Sequence, residues 1–104
     1  EFNYKICSEL NLNLPQSMPP GKWAPTISGM LGASNYINPI GGRHLFDSAD
    51  FENKGIMLGF LEMNPFIYET PSYPFEVGLS ILDVLMWNEP EKVRYVISEA
   101  RIIY

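Results

Sequence analysis

The sequence predicts an α/β fold: a layered arrangement of short, mainly parallel strands with flanking helices, forming part of a larger domain. Three observations carry this. Helical stretches alternate with short extended ones along the chain, as when helices are laid on a sheet. The run Ile56–Met63 (IMLGFLEM) is almost wholly apolar and follows a glycine, which suits a strand covered on both faces. Phe75–Trp87 (FEVGLSILDVLMW) repeats Leu79, Leu82, Leu85 and Met86 at helical spacing, with Val77, Ile81 and Val84 filling adjacent faces, so it reads as a deeply buried helix.

The elements follow in order. Tyr4, Ile6, Cys7 and Leu10 fit the last turns of a helix. Leu12 and Leu14 alternate with asparagines and suggest a short strand before the proline-rich connector Pro15–Gly21. Lys22–Leu31 reads as a helix with Trp23, Ile27, Met30 and Leu31 on one side. Pro25 is tolerable there only in the first turn, and Gly32 is a natural terminator. Tyr36-Ile37 form a strand stopped by Pro39. After Gly41-Gly42, Arg43–Asp47 suit one or two helical turns, and Ser48–Lys54 a second short helix with Ser48 as N-cap, ended by Gly55. Asn64–Pro74 carries three prolines and three aromatics and is a loop. Pro90 opens a helix with Val93, Val96, Ile97 and Ala100 inward, and Ile102–Tyr104 begin a strand. No internal repeat is visible.

At 104 residues the chain is one domain at most, and its 46% apolar content is enough to build a core. It opens on Glu-Phe and closes on an apolar Arg-Ile-Ile-Tyr run, which reads as a piece cut at both ends, or at least at the front; the alternative for Glu1-Phe2 is a cloning scar. The net charge is −5 and the seven basic residues are scattered, which argues against a nucleic-acid partner and against an electrostatically bound membrane surface. No apolar run approaches the roughly twenty residues of a membrane span. Cys7, the only cysteine, sits in an apolar-periodic segment and reads as a buried structural thiol, compatible with a reducing cytoplasm.

The densest cluster of chemistry is Gly41-Gly42-Arg43-His44. It reads either as a backbone nest with a cation beside it, holding a phosphate or carboxylate, or as an ordinary turn with two exposed polar residues. His44 is the only histidine, so a metal site is not expected, and its candidate roles are proton transfer or substrate hydrogen bonding. Ser80 and Asp83 lie three apart on the apolar helix. A buried Asp83 must face a polar groove, pair with an arginine or accept hydrogen bonds. A Ser80–His44–Asp83 triad is disfavoured, because a serine on a regular helical turn is not a strained nucleophile elbow. Tyr36, Tyr68 and Tyr73 flank the loops, as hydrophobic cover or as platforms for a sugar.

The order of these pieces resembles the WbqC-like family of bacterial proteins. The resemblance runs from Leu31-Gly32-Ala33 through Tyr36-Ile37, the Gly-Gly turn and Phe51–Ile56 (FENKGI) to Tyr68, Phe75, Leu79–Leu85 (LSILDVL) and Trp87-Asn88, covering most of residues 20–98. The chain departs from the family pattern at Thr70, where a Gln is usual, and at Glu89-Pro90, where a Gly soon follows the asparagine. The resemblance implies a protein about twice this long, of which residues 1–104 form a single partial domain, the C-terminal half. It implies a cytoplasmic role in O-antigen and other surface-polysaccharide (lipopolysaccharide) biosynthesis, with no cofactor. The implied activity is an acyl- or aminoacyl-transferase acting on a nucleotide-linked amino-sugar. The alternative is a non-catalytic binding or scaffold protein among polysaccharide-pathway enzymes. On that basis His44 and Asp83 are the catalytic candidates. Tyr36, Gly41, Gly42, Arg43, Tyr68 and Ser80 are the substrate-binding ones.

Overall fold

A computed structural model describes residues 3–104 of the chain, so the reading of Glu1-Phe2 lies outside the described residues. Three strands, β1 (Asn35–Pro39), β2 (Met57–Glu62) and β3 (Arg101–Ile103), form one sheet in the order β1-β2-β3. The sheet is mixed, with one parallel pair, and the fold is a small α/β one. Among the described residues four α-helices accompany it: α1 (Pro20–Met30), α2 (Ser48–Glu52), α3 (Ile81–Trp87) and α4 (Pro90–Ser98). No helix of the described residues is long and apolar enough to cross a membrane. The chain divides into two compact units, one of residues up to Phe60 with Ile103–Tyr104, the other of Leu61–Ile102.

In the first unit, the expected helix at Tyr4–Leu10 is only a 3-10 turn, Cys7–Glu9, with no buried residue. Cys7 is accordingly exposed rather than a core thiol. Leu12 and Leu14 build no strand; the Leu14 N–H instead bonds the Leu12 carbonyl at 2.9 Å, closing a tight turn. α1 starts two residues before the expected point, with Pro20 supplying a pre-set φ at its first position. Pro25 falls in its second turn, not its first. Its missing N–H leaves the Gly21 carbonyl without an α-helical partner, and full burial of the ring offsets that loss. Trp23 donates its indole N–H to the Met18 carbonyl at 3.2 Å.

Gly32 ends α1 as expected, at φ +66°. The Ala33 N–H bonds the Ser28 carbonyl and the Gly32 N–H the Gly29 carbonyl, which gives two carbonyls of the last turn their partners. The same pair of bonds closes α2, from Ile56 to Phe51 and from Gly55 (φ +70°) to Glu52. The cap of α2 is Asp47, not Ser48: its carboxylate accepts from the Ala49 N–H at 3.1 Å. Lys22 reaches from α1 to both carboxylate oxygens of Asp50 on α2, at 2.5 and 2.6 Å. The core of this unit is Phe51, Ile56 and Phe60, with Pro25. β2 is covered on both faces only at Gly59-Phe60, and its ends are exposed.

In the second unit the expected long helix is shorter by half. Gly78 turns left-handed at φ +76°, which stops any helix passing through it. The Ser80 hydroxyl then accepts the Leu82 N–H at 3.2 Å and starts α3 at Ile81. The deep burial expected of this helix is also overturned. Leu82 and Met86 are 70% and 79% exposed, and α3 buries no residue fully. Its half-buried residues are Asp83, Val84, Trp87 and Asn88, which recur at helical spacing. The helix therefore turns its acid inward and its leucines outward. Asn88 donates to the Val84 carbonyl at 2.9 Å and finishes α3. In α4, Pro90 occupies the first turn and Val93 is buried, as expected, whereas Ile97 is exposed.

Candidate functional site

The sequence-derived candidates fall into two groups, one in each unit. In the first unit, Tyr36 stacks on Phe51 (ring centroids 5.2 Å, 25° apart) and meets the edge of Phe46 at 5.7 Å. Phe46 in turn faces Phe51 and Phe60. The Tyr36 hydroxyl donates to Asn38 Oδ1 at 3.2 Å, and burial pushes the phenol pKa up, so this hydroxyl is a neutral donor inside an aromatic core.

Gly41 and Gly42 lie in a six-residue 3-10 helix, Ile40–Leu45, on right-handed backbone rather than in a left-handed turn. The space beside Gly41 is open, but a Cβ on Gly42 would stand 2.3 Å from Asn38 Nδ2. Asn38 thus joins Tyr36 to Gly42, a link that no sequence spacing announced. Arg43 lays its guanidinium over the Phe60 ring, 5.5 Å from the centroid. His44 is exposed and makes no side-chain hydrogen bond or ion pair among the described residues.

In the second unit the structure brings Tyr68 and Asp83 together. The phenol donates to Asp83 Oδ2 at 2.5 Å. The ring is held edge-on to Phe75 at 5.1 Å, with Phe66 at 5.3 Å, and Tyr68 is only 8% exposed. A hydroxyl on a ring so packed has a fixed direction, and that direction is the carboxylate. Of the roles open to a buried Asp83, accepting a hydrogen bond is the one realised. That bond, then burial, then the carboxylate's charge hold the Tyr68 pKa above its ordinary value, so the phenol stays protonated and donates its hydrogen to the carboxylate.

Asp83 also lines a cleft of about 450 Å³ with Glu76, Tyr73, Leu79, Met86 and Trp87. The Tyr73 and Trp87 rings lie 6.0 Å apart. Trp87, Tyr68 and Asn88 line a second cleft of about 470 Å³ with Glu69 and Lys92, whose ammonium sits 5.4 Å from the Phe66 ring centre. One cleft is apolar with two carboxylates. The other adds a cation. Ser80 belongs to this unit as the cap of α3, with its hydroxyl already engaged by Leu82. Glu76 and Lys92 were not legible from sequence, because isolated charges in a loop and on an exposed helix face carry no periodic or motif signal.

A family model described as the WbqC-like protein family matches residues 1–95. The chain belongs to the WbqC-like family. No curated protein and no solved structure matches it. In this WbqC-like chain Thr70, the departure from the usual Gln, donates its hydroxyl to the Tyr73 carbonyl at 2.9 Å, and the Tyr73 N–H returns a bond to the Thr70 carbonyl. Thr70 therefore closes the turn that carries Tyr73, rather than supporting Tyr68. Among the described residues of the WbqC-like chain, no group of three or more His, Cys, Asp or Glu side chains is placed to hold a metal ion.

Proposed function

We propose that this WbqC-like chain works in bacterial O-antigen and surface-polysaccharide biosynthesis. In this reading it takes part in acylating or aminoacylating a nucleotide-linked amino-sugar, in the cytoplasm, and the clefts of the second unit seat the sugar. The observation that carries the reading is Asp83, held by the Tyr68 hydroxyl, at the wall of an aromatic, acidic cleft. Tyr73 and Trp87 offer faces to the apolar side of a sugar ring. Asp83, with one oxygen held by Tyr68, keeps the other to accept a hydrogen bond from the substrate amine and so orient it. Lys92 supplies the charge that a phosphate on the same ligand needs.

Calorimetric titration with UDP-glucosamine and UDP-N-acetylglucosamine tests this. Only the first carries a free amine, so Asp83→Asn should weaken it by roughly tenfold and leave the second nearly unchanged. Equal affinity of the variant and the parent for UDP-glucosamine would sink the assignment. A second reading, a non-catalytic scaffold among pathway enzymes, is favoured by the exposure of Ile67 at 74% together with the outward leucines of α3. It requires a stable complex with a pathway enzyme that Asp83→Asn does not disturb.

A further inference from the structure

The first unit holds a cleft that the reading above does not use. It measures about 430 Å³, within the range of small-molecule sites. Its floor is apolar: Phe46, Ile56 and Phe60, of which Ile56 and Phe60 are buried. Two charges stand on its rim, Arg43 and Glu52. They are not joined to each other; the ion pair found among the described residues is Lys22–Asp50. Arg43 is braced by the Phe60 ring, which leaves the edge of its planar guanidinium free for a carboxylate. Glu52 sits in the last turn of α2, where converging carbonyls also favour a cation over an anion.

A cleft with one braced cation, one separate carboxylate and an apolar floor discriminates among ligands. A diphosphate would meet a single cation and be repelled by Glu52. A simple fatty acid would leave Glu52 facing its chain. A molecule with a carboxylate, an ammonium and an apolar side chain satisfies all three features at once. The geometry points to a binding site for a free α-amino acid with an apolar side chain. Arg43 holds its carboxylate, Glu52 its ammonium, and the phenylalanine floor its side chain. A chain with no sugar-modifying activity would still carry this site.

The experiment is a titration of the whole chain, by calorimetry or ligand-observed NMR, with L-leucine and two truncated relatives. Isocaproate keeps the carboxylate and side chain, and isoamylamine keeps the amine and side chain. Leucine should bind about tenfold more tightly than either, the loss expected when a charged partner is removed. Glu52→Gln should erase the preference for leucine over isocaproate, and Arg43→Gln the preference over isoamylamine. Both side chains are exposed, and unchanged circular dichroism of the variants verifies that the fold is intact. Leucine binding no tighter than its relatives, or binding indifferent to both substitutions, would overturn the assignment.

Discussion

Replacing Gly21 by alanine should destabilise the protein, although it places the strongest helix former inside a helix. A Cβ at this position in the first turn of α1 would stand 2.1 Å from the carbonyl oxygen of Leu45 and 3.3 Å from its carbon. The opposing atoms are main chain and cannot swing aside, so the backbones must part by more than about 1 Å to reach ordinary contact. Overpacking of this kind costs about 1–3 kcal/mol. The propensity gain on replacing glycine in a helix is about 1 kcal/mol at most. A main-chain clash as close as 2.1 Å takes the upper half of that range, about 2–3 kcal/mol, so the clash wins with a net loss of about 1–2 kcal/mol. The same helix contains its own control. A Cβ on Gly29 would meet Lys54 Cδ at 3.2 Å, part of an exposed, flexible side chain. Alanine there should be neutral or stabilising by up to about 1 kcal/mol. Urea unfolding followed by far-ultraviolet circular dichroism gives both midpoints. A Gly21→Ala midpoint at or above the parent's, or a Gly29→Ala loss as large as that of Gly21→Ala, would refute the steric reasoning.

Phe51→Ala removes a fully buried ring that packs on Tyr36 and Phe46 and should cost about 3–5 kcal/mol by urea unfolding. The Tyr68 phenol titrates above its unfolded value of roughly 10, so the stability it contributes is complete below that pH and is lost as pH rises through the folded value. Tyr68→Phe should therefore flatten the alkaline fall of the pH–stability curve, while Asp83→Asn should shift the Tyr68 ionisation, read as the part of the ultraviolet absorbance change that Tyr68→Phe removes, to lower pH. Breaking the Lys22–Asp50 pair with Lys22→Met should cost at most about 1 kcal/mol, and less in high salt, because the lysine side chain is 49% exposed; the thermal midpoint at two salt concentrations reads this.

What the sequence made legible was local chemistry. Gly32 and Gly55 end their helices because the left-handed closing residue is a local demand that glycine meets cheaply. Pro39 and Pro90 mark a strand end and a helix start for equally local reasons. The misreadings share one cause. Periodicity in Phe75–Trp87 reports an amphipathic helix, but not which face the rest of the chain covers. Here Asp83 turns inward because Tyr68, fifteen residues earlier, offers it a buried donor. No spacing rule links a loop tyrosine to a helical aspartate. The family resemblance singled out both positions without joining them. Cys7 was misplaced for the same reason, since its apolar neighbours form a turn too short to bury anything. Asn38, which ties Tyr36 to Gly42, left no trace at all in the sequence.

The chain has two tryptophans, and each unit receives one. Trp23 sits half-buried in the first, its indole fixed on the Met18 carbonyl; Trp87 stands in the cleft walls of the second. Each unit thus carries an intrinsic fluorophore of its own. Under excitation selective for tryptophan, a Trp87→Phe chain emits only from the first unit, and a Trp23→Phe chain only from the second. The order in which the two lose structure in denaturant can be followed on one molecule without labels. A sugar entering the clefts of the second unit should alter Trp87 emission and leave that of Trp23 unchanged.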